Sequence, residues 1–138
     1  MKSYTLKEWK ETSYYVYVHI GNTSKEVRYI GMGKNNRKNN SYKLRSIEWN
    51  EMYKYENGVK RLVVCKRLTK EEALRLEQSL ITFYGFGEKW NFLVNKKNSK
   101  KHELLPTHML EVIINKNKIP QPNKLTNEDI WLIYKNKN

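Results

Sequence analysis

Apolar and polar positions along the chain switch between two periods. From Tyr14 to Ile20 (YYVYVHI) the residues are aromatic or β-branched, the composition of a strand. Alternation puts Tyr15, Tyr17 and His19 on one face and Tyr14, Val16, Val18 and Ile20 on the other. Gly21-Asn22-Thr23-Ser24 is turn chemistry and Val27 to Gly31 is a second short strand, so the two predict a hairpin. After a Gly- and Asn-rich loop, a helix is expected from about Ser41 to Tyr53, with Leu44, Ile47 and Met52 as its buried side, broken at Asn57-Gly58. Arg61 to Leu68 (RLVVCKRL) reads as a third strand.

The next helix carries the clearest signals. Thr69 is a good N-cap, Glu72 three residues later completes a capping box, and Gly85 is a stop. Between them Ala73, Leu76, Leu80, Ile81 and Tyr84 form one apolar stripe. The order β-β-α-β-α predicts an α+β fold: a small, mainly antiparallel three-stranded sheet flanked by helices. Lys96 to Lys101 (KKNSKK) is cationic and breaker-like, and is expected to end the compact domain, giving a domain over 1–95 and a basic helical extension over 96–138. In that extension Pro106–Asn115 and Thr126–Tyr134 pattern as short helices around a linker holding Pro120 and Pro122. No internal repeat is visible.

With 138 residues the chain has room for one core and an extension, not two full cores. Its 38% hydrophobic and 12% aromatic content excludes generic disorder. A net charge of +13 favours a polyanionic partner, nucleic acid first and an anionic membrane surface second. The excess is mostly Lys, beside much Asn, as AT-rich coding also produces, so charge alone divides evenly between the two explanations. Cys65 is the only cysteine, which excludes disulfide scaffolds and Cys-based zinc sites, and the three histidines have no metal-ligand spacing. No apolar run approaches the roughly 20 residues of a membrane-spanning helix, and the polar N-terminus is unlike a signal peptide. A soluble cytoplasmic protein without a membrane partner is the expectation.

Glu77 is the most informative residue for chemistry, because i±3 and i±4 spacing puts it inside the apolar stripe of its helix. An ionised carboxylate there is costly unless a cation or hydrogen bonds offset it. The alternatives are a buried salt bridge to Arg or Lys and a divalent metal that keeps several waters. Tyr17 and Tyr29 lie on neighbouring strands with eleven residues between them, and a paired hairpin brings both phenols to one surface, as a functional pair or as cross-strand packing. In RYIGMGKNNRKNN (28–40), Gly31 and Gly33 are expected to let backbone approach a ligand, with Lys34, Arg37 and Lys38 supplying positive charge. The P-loop pattern GxxxxGK[ST] is absent.

The sequence of YVY (15–17), YIG (29–31), Arg37, Glu77 and a following Asn resembles the GIY-YIG nuclease family, over about residues 14–95. YIGMGKNNR is similar to the YIGKGxGNR variant of phage-type members, and EQSLITFYG to the helix bearing the family's metal-binding glutamate. The resemblance implies that Tyr17 activates or positions the attacking water, Tyr29 supports it and contacts the scissile phosphate, and Arg37 stabilises charge on the phosphoryl oxygens. It implies that Glu77 holds one divalent ion, Mg2+ or Mn2+. The family asparagine is Asn91 or Asn95. Hydrolysis needs a nucleophile near neutral pH and cations for the developing charge, which a metal with an arginine supplies. An ordinary phenol, of pKa about 10, is a poor base unless positive charge favours its ionised form. The chain departs from the family at Tyr15, where the motif name has Gly, and at Ser41, where many members have His. His19, sharing a face with Tyr17, is either a substitute or a surface histidine.

These readings give a metal-dependent DNA endonuclease of phage or mobile-element type, homing or restriction-like, working as a monomer or weak dimer. Lys34, Lys38, Lys96, Lys97, Lys100 and Lys101 are its expected DNA-contacting cations; the run 96–101 reads equally as a solvated tether. The rivals are a non-catalytic nucleic-acid-binding or inhibitor protein that keeps the scaffold, and a basic RNA- or ribosome-binding domain.

Overall fold

Tyr14–Gly21 (β1) and Val27–Lys34 (β2) pair antiparallel, joined by a turn in which the Lys25 amide donates to the Gly21 carbonyl and the Gly21 amide to that of Glu26. The computed structural model describes residues 12–34, 45–86, 92–98 and 102–122. A helix at Ile47–Glu56 (α1) leads to the third strand, Val59–Leu68 (β3), which pairs antiparallel with the other side of β1. Helices Lys70–Phe83 (α2) and Thr107–Lys116 (α3) complete the described elements. Strand order is β2-β1-β3, so the chain is a small α+β fold on a three-stranded antiparallel sheet, as its periodicity predicts.

The alternation in β1 separates two environments. Val16 and Val18, with Ile30 of β2, are fully buried against Ala73, Leu76, Leu80 and Ile81 of α2. The Thr69–Glu72 capping box forms as expected, and Gly85, at φ 88°, follows the helix end at Tyr84. The other sheet face carries Tyr15, Tyr17 and His19, with Gly33, Gly31 and Tyr29 opposite them on β2. Val63 and Arg61 of β3 stand opposite Tyr17 and His19.

The first helix differs from expectation. It starts at Ile47, not near Ser41, because Ser46 caps it by accepting from the Trp49 amide at 3.1 Å; residues 41–44 lie outside the described residues. That start sets the phase. Trp49, Met52 and Glu56, at intervals of three and four, turn inward, and Ile47 is 74% exposed instead of buried.

Glu56 is the unforeseen member of this set. Its carboxylate is fully buried and accepts from the Thr23 amide (3.1 Å), the Ser24 amide (2.7 Å) and hydroxyl (2.5 Å), and Arg28 Nη1 (2.9 Å). Burial pushes its pKa up, but the Ser24 donors, Arg28 and the Thr23 amide outweigh burial and hold it below the ordinary carboxylate range. The carboxylate passes directly over Gly21, where an added Cβ would overlap it.

The division expected at 95/96 does not coincide with an edge of the core. Val94 donates to the Arg28 carbonyl (2.7 Å) along the free edge of β2. Further on, Leu105 N donates to Ser79 Oγ (2.9 Å) and Arg75 Nε to the Glu103 carbonyl (2.8 Å), tying this segment to α2. Leu110, Ile114 and Ile119 then enter the same core as Leu80, and the Tyr84 hydroxyl donates to the Pro120 carbonyl at 2.6 Å. The helix expected at 126–134 lies outside the described residues. Among the described residues no helix is long and apolar enough to cross a membrane.

Two outcomes check this packing. A chain ended at residue 95 loses Leu110, Ile114 and Ile119, and should melt without a cooperative transition or aggregate; a soluble fragment with the full-length Tm would refute the shared core. Glu56→Ala should cost about 3 kcal/mol in urea unfolding near neutral pH, because Arg28 and the turn amides lose their acceptor. Since the folded carboxyl sits below its ordinary 4.5, the wild-type advantage is present above that pH and should fade on acidification.

Candidate functional site

The face of the sheet turned away from α2 collects most of the chemistry-bearing side chains. Tyr17 and Tyr29 meet there with ring centroids 6.3 Å apart, and His19 lies against both, 5.2 Å from Tyr17 and 5.4 Å from Tyr29. Gly31 and Gly33 make this possible in a way not foreseen. Neither has a positive φ. A Cβ at Gly31 would stand 2.6 Å from Tyr17 Oη and 2.9 Å from Tyr29 Cε2, and one at Gly33 would stand 2.5 Å from Tyr15 Oη. The glycines of YIGMG therefore make room for cross-strand phenols.

His19 is neither a surface histidine nor a free base. It is 4% exposed, and its Nδ1 accepts from Trp49 Nε1 at 3.1 Å. An indole nitrogen only donates, so the neutral ring carries its proton on Nε2 and can offer a donor there but no acceptor. Burial, with Arg45 and Arg61 nearby, lowers its pKa to about 4, so it is neutral at physiological pH.

Two arginines flank the tyrosines. Arg45, just ahead of α1, donates from Nη2 to Tyr17 Oη at 3.3 Å and lies 5.1 Å from the ring centroids of both Tyr29 and Trp49. Arg61 of β3 lies 4.4 Å over the Tyr17 ring and donates to Tyr15 Oη at 2.7 Å. Sequence reasoning passed over both. The i, i+4 spacing of Arg45 and Trp49 was visible, but the register that sets Arg61 opposite His19 was not.

Glu77 projects from the middle of α2 and is partly buried. Burial alone pushes its pKa up to about 7, and its charge is close enough to help raise that of Tyr29, which burial and then Tyr17 raise and Arg45 opposes. Among the described residues the ion pairs are Arg28–Glu56 and Lys96–Glu48, and neither involves Glu77. Among the described residues no three His, Cys, Asp or Glu side chains gather to hold a metal.

The remaining expected residues fall in three places. Asn95 accepts from the Ile30 amide (3.0 Å) and donates to the Ile30 carbonyl (2.7 Å), so its amide extends the β2 ladder and fixes the strand between Tyr29 and Gly31. Lys34 stands over the Tyr14 ring at 5.5 Å, at the strand end away from the Tyr17–His19–Tyr29 cluster; Lys96 pairs with Glu48 at 3.2 Å and Lys97 is exposed. Arg37, Lys38, Asn91, Lys100 and Lys101 lie outside the described residues. No family model, curated protein or solved structure matches the chain.

The state of Glu77 gives a direct prediction. A carboxyl with a folded pKa of about 7 against 4.5 unfolded holds its proton more tightly when folded, so stability is lost as pH rises from 4.5 through 7. With chelator present, Glu77→Gln should therefore be more stable than wild type at pH 8 by about 1–3 kcal/mol and equal to it near pH 4. Equal thermal unfolding at both pH values would mean that burial does not raise the Glu77 pKa, and a Gln variant less stable than wild type at pH 8 would mean that Glu77 is ion-paired.

Proposed function

We propose that the protein is a metal-dependent endonuclease of the GIY-YIG type that hydrolyses DNA phosphodiester bonds, of phage or mobile-element character. The observation carrying this reading is that Tyr17 and Tyr29 share one face of the sheet with Glu77 within electrostatic reach, a carboxylate that no described cation pairs. One unpaired carboxylate fits a hard divalent ion such as Mg2+ or Mn2+, which often takes one or two protein carboxylates and retains several waters. Glu77 would hold that ion. When bound, it would supply positive charge toward the phosphate oxygens and toward an attacking water.

The chain's own groups account for the rest of the site. Tyr17 Oη already accepts from Arg45, which leaves its hydroxyl proton free to orient a water or a phosphate oxygen. Tyr29 is fixed by His19 on one side and Arg45 on the other, and stays a neutral donor near neutral pH because burial and Tyr17 raise its pKa. Arg37 remains the arginine assigned by resemblance to the charge that develops on the phosphoryl group. In hydrolysis the water oxygen forms the new bond to phosphorus, the bond to the leaving sugar oxygen breaks, and a proton passes to that oxygen.

Supercoiled plasmid incubated with magnesium should be nicked or linearised, and chelator should stop it. Glu77→Gln should lower the rate by at least about 100-fold with DNA binding retained, and Tyr17→Phe should slow single-turnover cleavage by about 100-fold with little change in affinity. Tight DNA binding without metal-dependent cleavage would instead favour a non-catalytic binding protein on the same scaffold.

A further inference from the structure

Arg45 has no counter-ion among the described residues. Arg28, also partly buried, is committed to Glu56, and the only remaining described ion pair is Lys96–Glu48. Arg45 instead lies between two aromatic rings, donates to Tyr17 Oη at 3.3 Å and hydrogen-bonds the Tyr29 hydroxyl. Its Nε is buried without a hydrogen-bond partner among the described residues. A buried guanidinium donor left open is costly, and rings hold the charge in place without satisfying the N–H groups. A planar fork held rigidly by stacking, with donors to spare, suits one ligand chemistry above others, a tetrahedral oxyanion that accepts two bonds. The same face carries Arg61 and a neutral His19, Glu77 acts electrostatically on Tyr29 from α2, and Ser46 opens α1 immediately beside Arg45.

We propose that Arg45 is a phosphate-contacting residue, its fork taking the non-bridging oxygens of a backbone phosphate and seating that phosphate against the Tyr17 hydroxyl. This rests on the nuclease reading for the identity of the substrate, and it adds a cation that the resemblance does not assign. Trp49 and Tyr29 act as its walls: the stack fixes the guanidinium plane before DNA arrives.

The test is the salt dependence of duplex DNA affinity with chelator present, for wild type, Arg45→Gln and Arg45→Lys, together with cleavage in magnesium and Tm for each. Loss of one phosphate contact should reduce the slope of log affinity against log salt by about one unit in Arg45→Gln, with the slope restored in Arg45→Lys. Cleavage should fall by about 100-fold in Arg45→Gln. An unchanged slope in a folded Arg45→Gln protein overturns the assignment, as does equal loss in both variants with a lowered Tm, which marks a structural role. The nuclease reading fails separately: a wild type that never cleaves while Arg45→Gln still loses its unit of slope removes the enzyme and keeps the contact. Should both variants misfold, the Arg45 Nε–H resonance of 15N-labelled wild type must shift on saturation with a short duplex, and a resonance that stays in place overturns the proposal.

Discussion

The buried carboxylate of Glu56 is the tie on which the rest of the site depends. It closes the end of α1 onto the β1–β2 turn through three donors from Thr23 and Ser24 and one from Arg28. With that end fixed, the start of the helix is carried to the tyrosine face of the sheet, where Trp49 reaches His19 and Arg45 reaches Tyr17. A buried ion pair contributes little net stability by itself but penalises any arrangement that breaks it. Here it defines one position for a helix that shares few contacts with the sheet, and Gly21 is required because the carboxylate occupies the space of a side chain.

Among the described residues Glu56, His19 and Glu77 are each withdrawn from water, with different outcomes. Glu56 keeps its charge, because four donors outweigh desolvation. His19 gives up its charge, because burial and two arginines disfavour the imidazolium while Trp49 satisfies the neutral ring. Glu77 has neither remedy among the described residues and is left near the midpoint of its titration at neutral pH. The first two are therefore structural and settled, while Glu77 holds free energy that a cation can release. Arg45 mirrors it as a cation with an open donor, and the two act on the Tyr29 hydroxyl in opposite directions.

The sheet was legible from local pattern. Strand alternation separates Val16 and Val18 from Tyr17 and His19, and the capping box at Thr69–Glu72 fixes where α2 starts. The apolar stripe of α2 also exposes Glu77 as an anomaly, since helical spacing alone places it beside the core. Such features follow from the geometry of one element, so a single sequence carries them.

What the sequence by itself determined is the three strands and α2, the faces of the residues along them, and the basic, tyrosine- and glycine-bearing character of the candidate site. Tertiary structure alone decided which of these side chains meet. The phase of α1 was set by Ser46 and turned Ile47 outward; the partners of Glu56 come from a turn more than thirty residues away. Asn95 proved a backbone clamp on Ile30, the glycines of YIGMG proved to be slots for phenols, and Leu110, Ile114 and Ile119 joined a core expected to end before them. Apart from the local Ser46 cap, each deciding contact joins residues distant in sequence, and its energy depends on a burial and a register that exist only once the sheet and helices have packed.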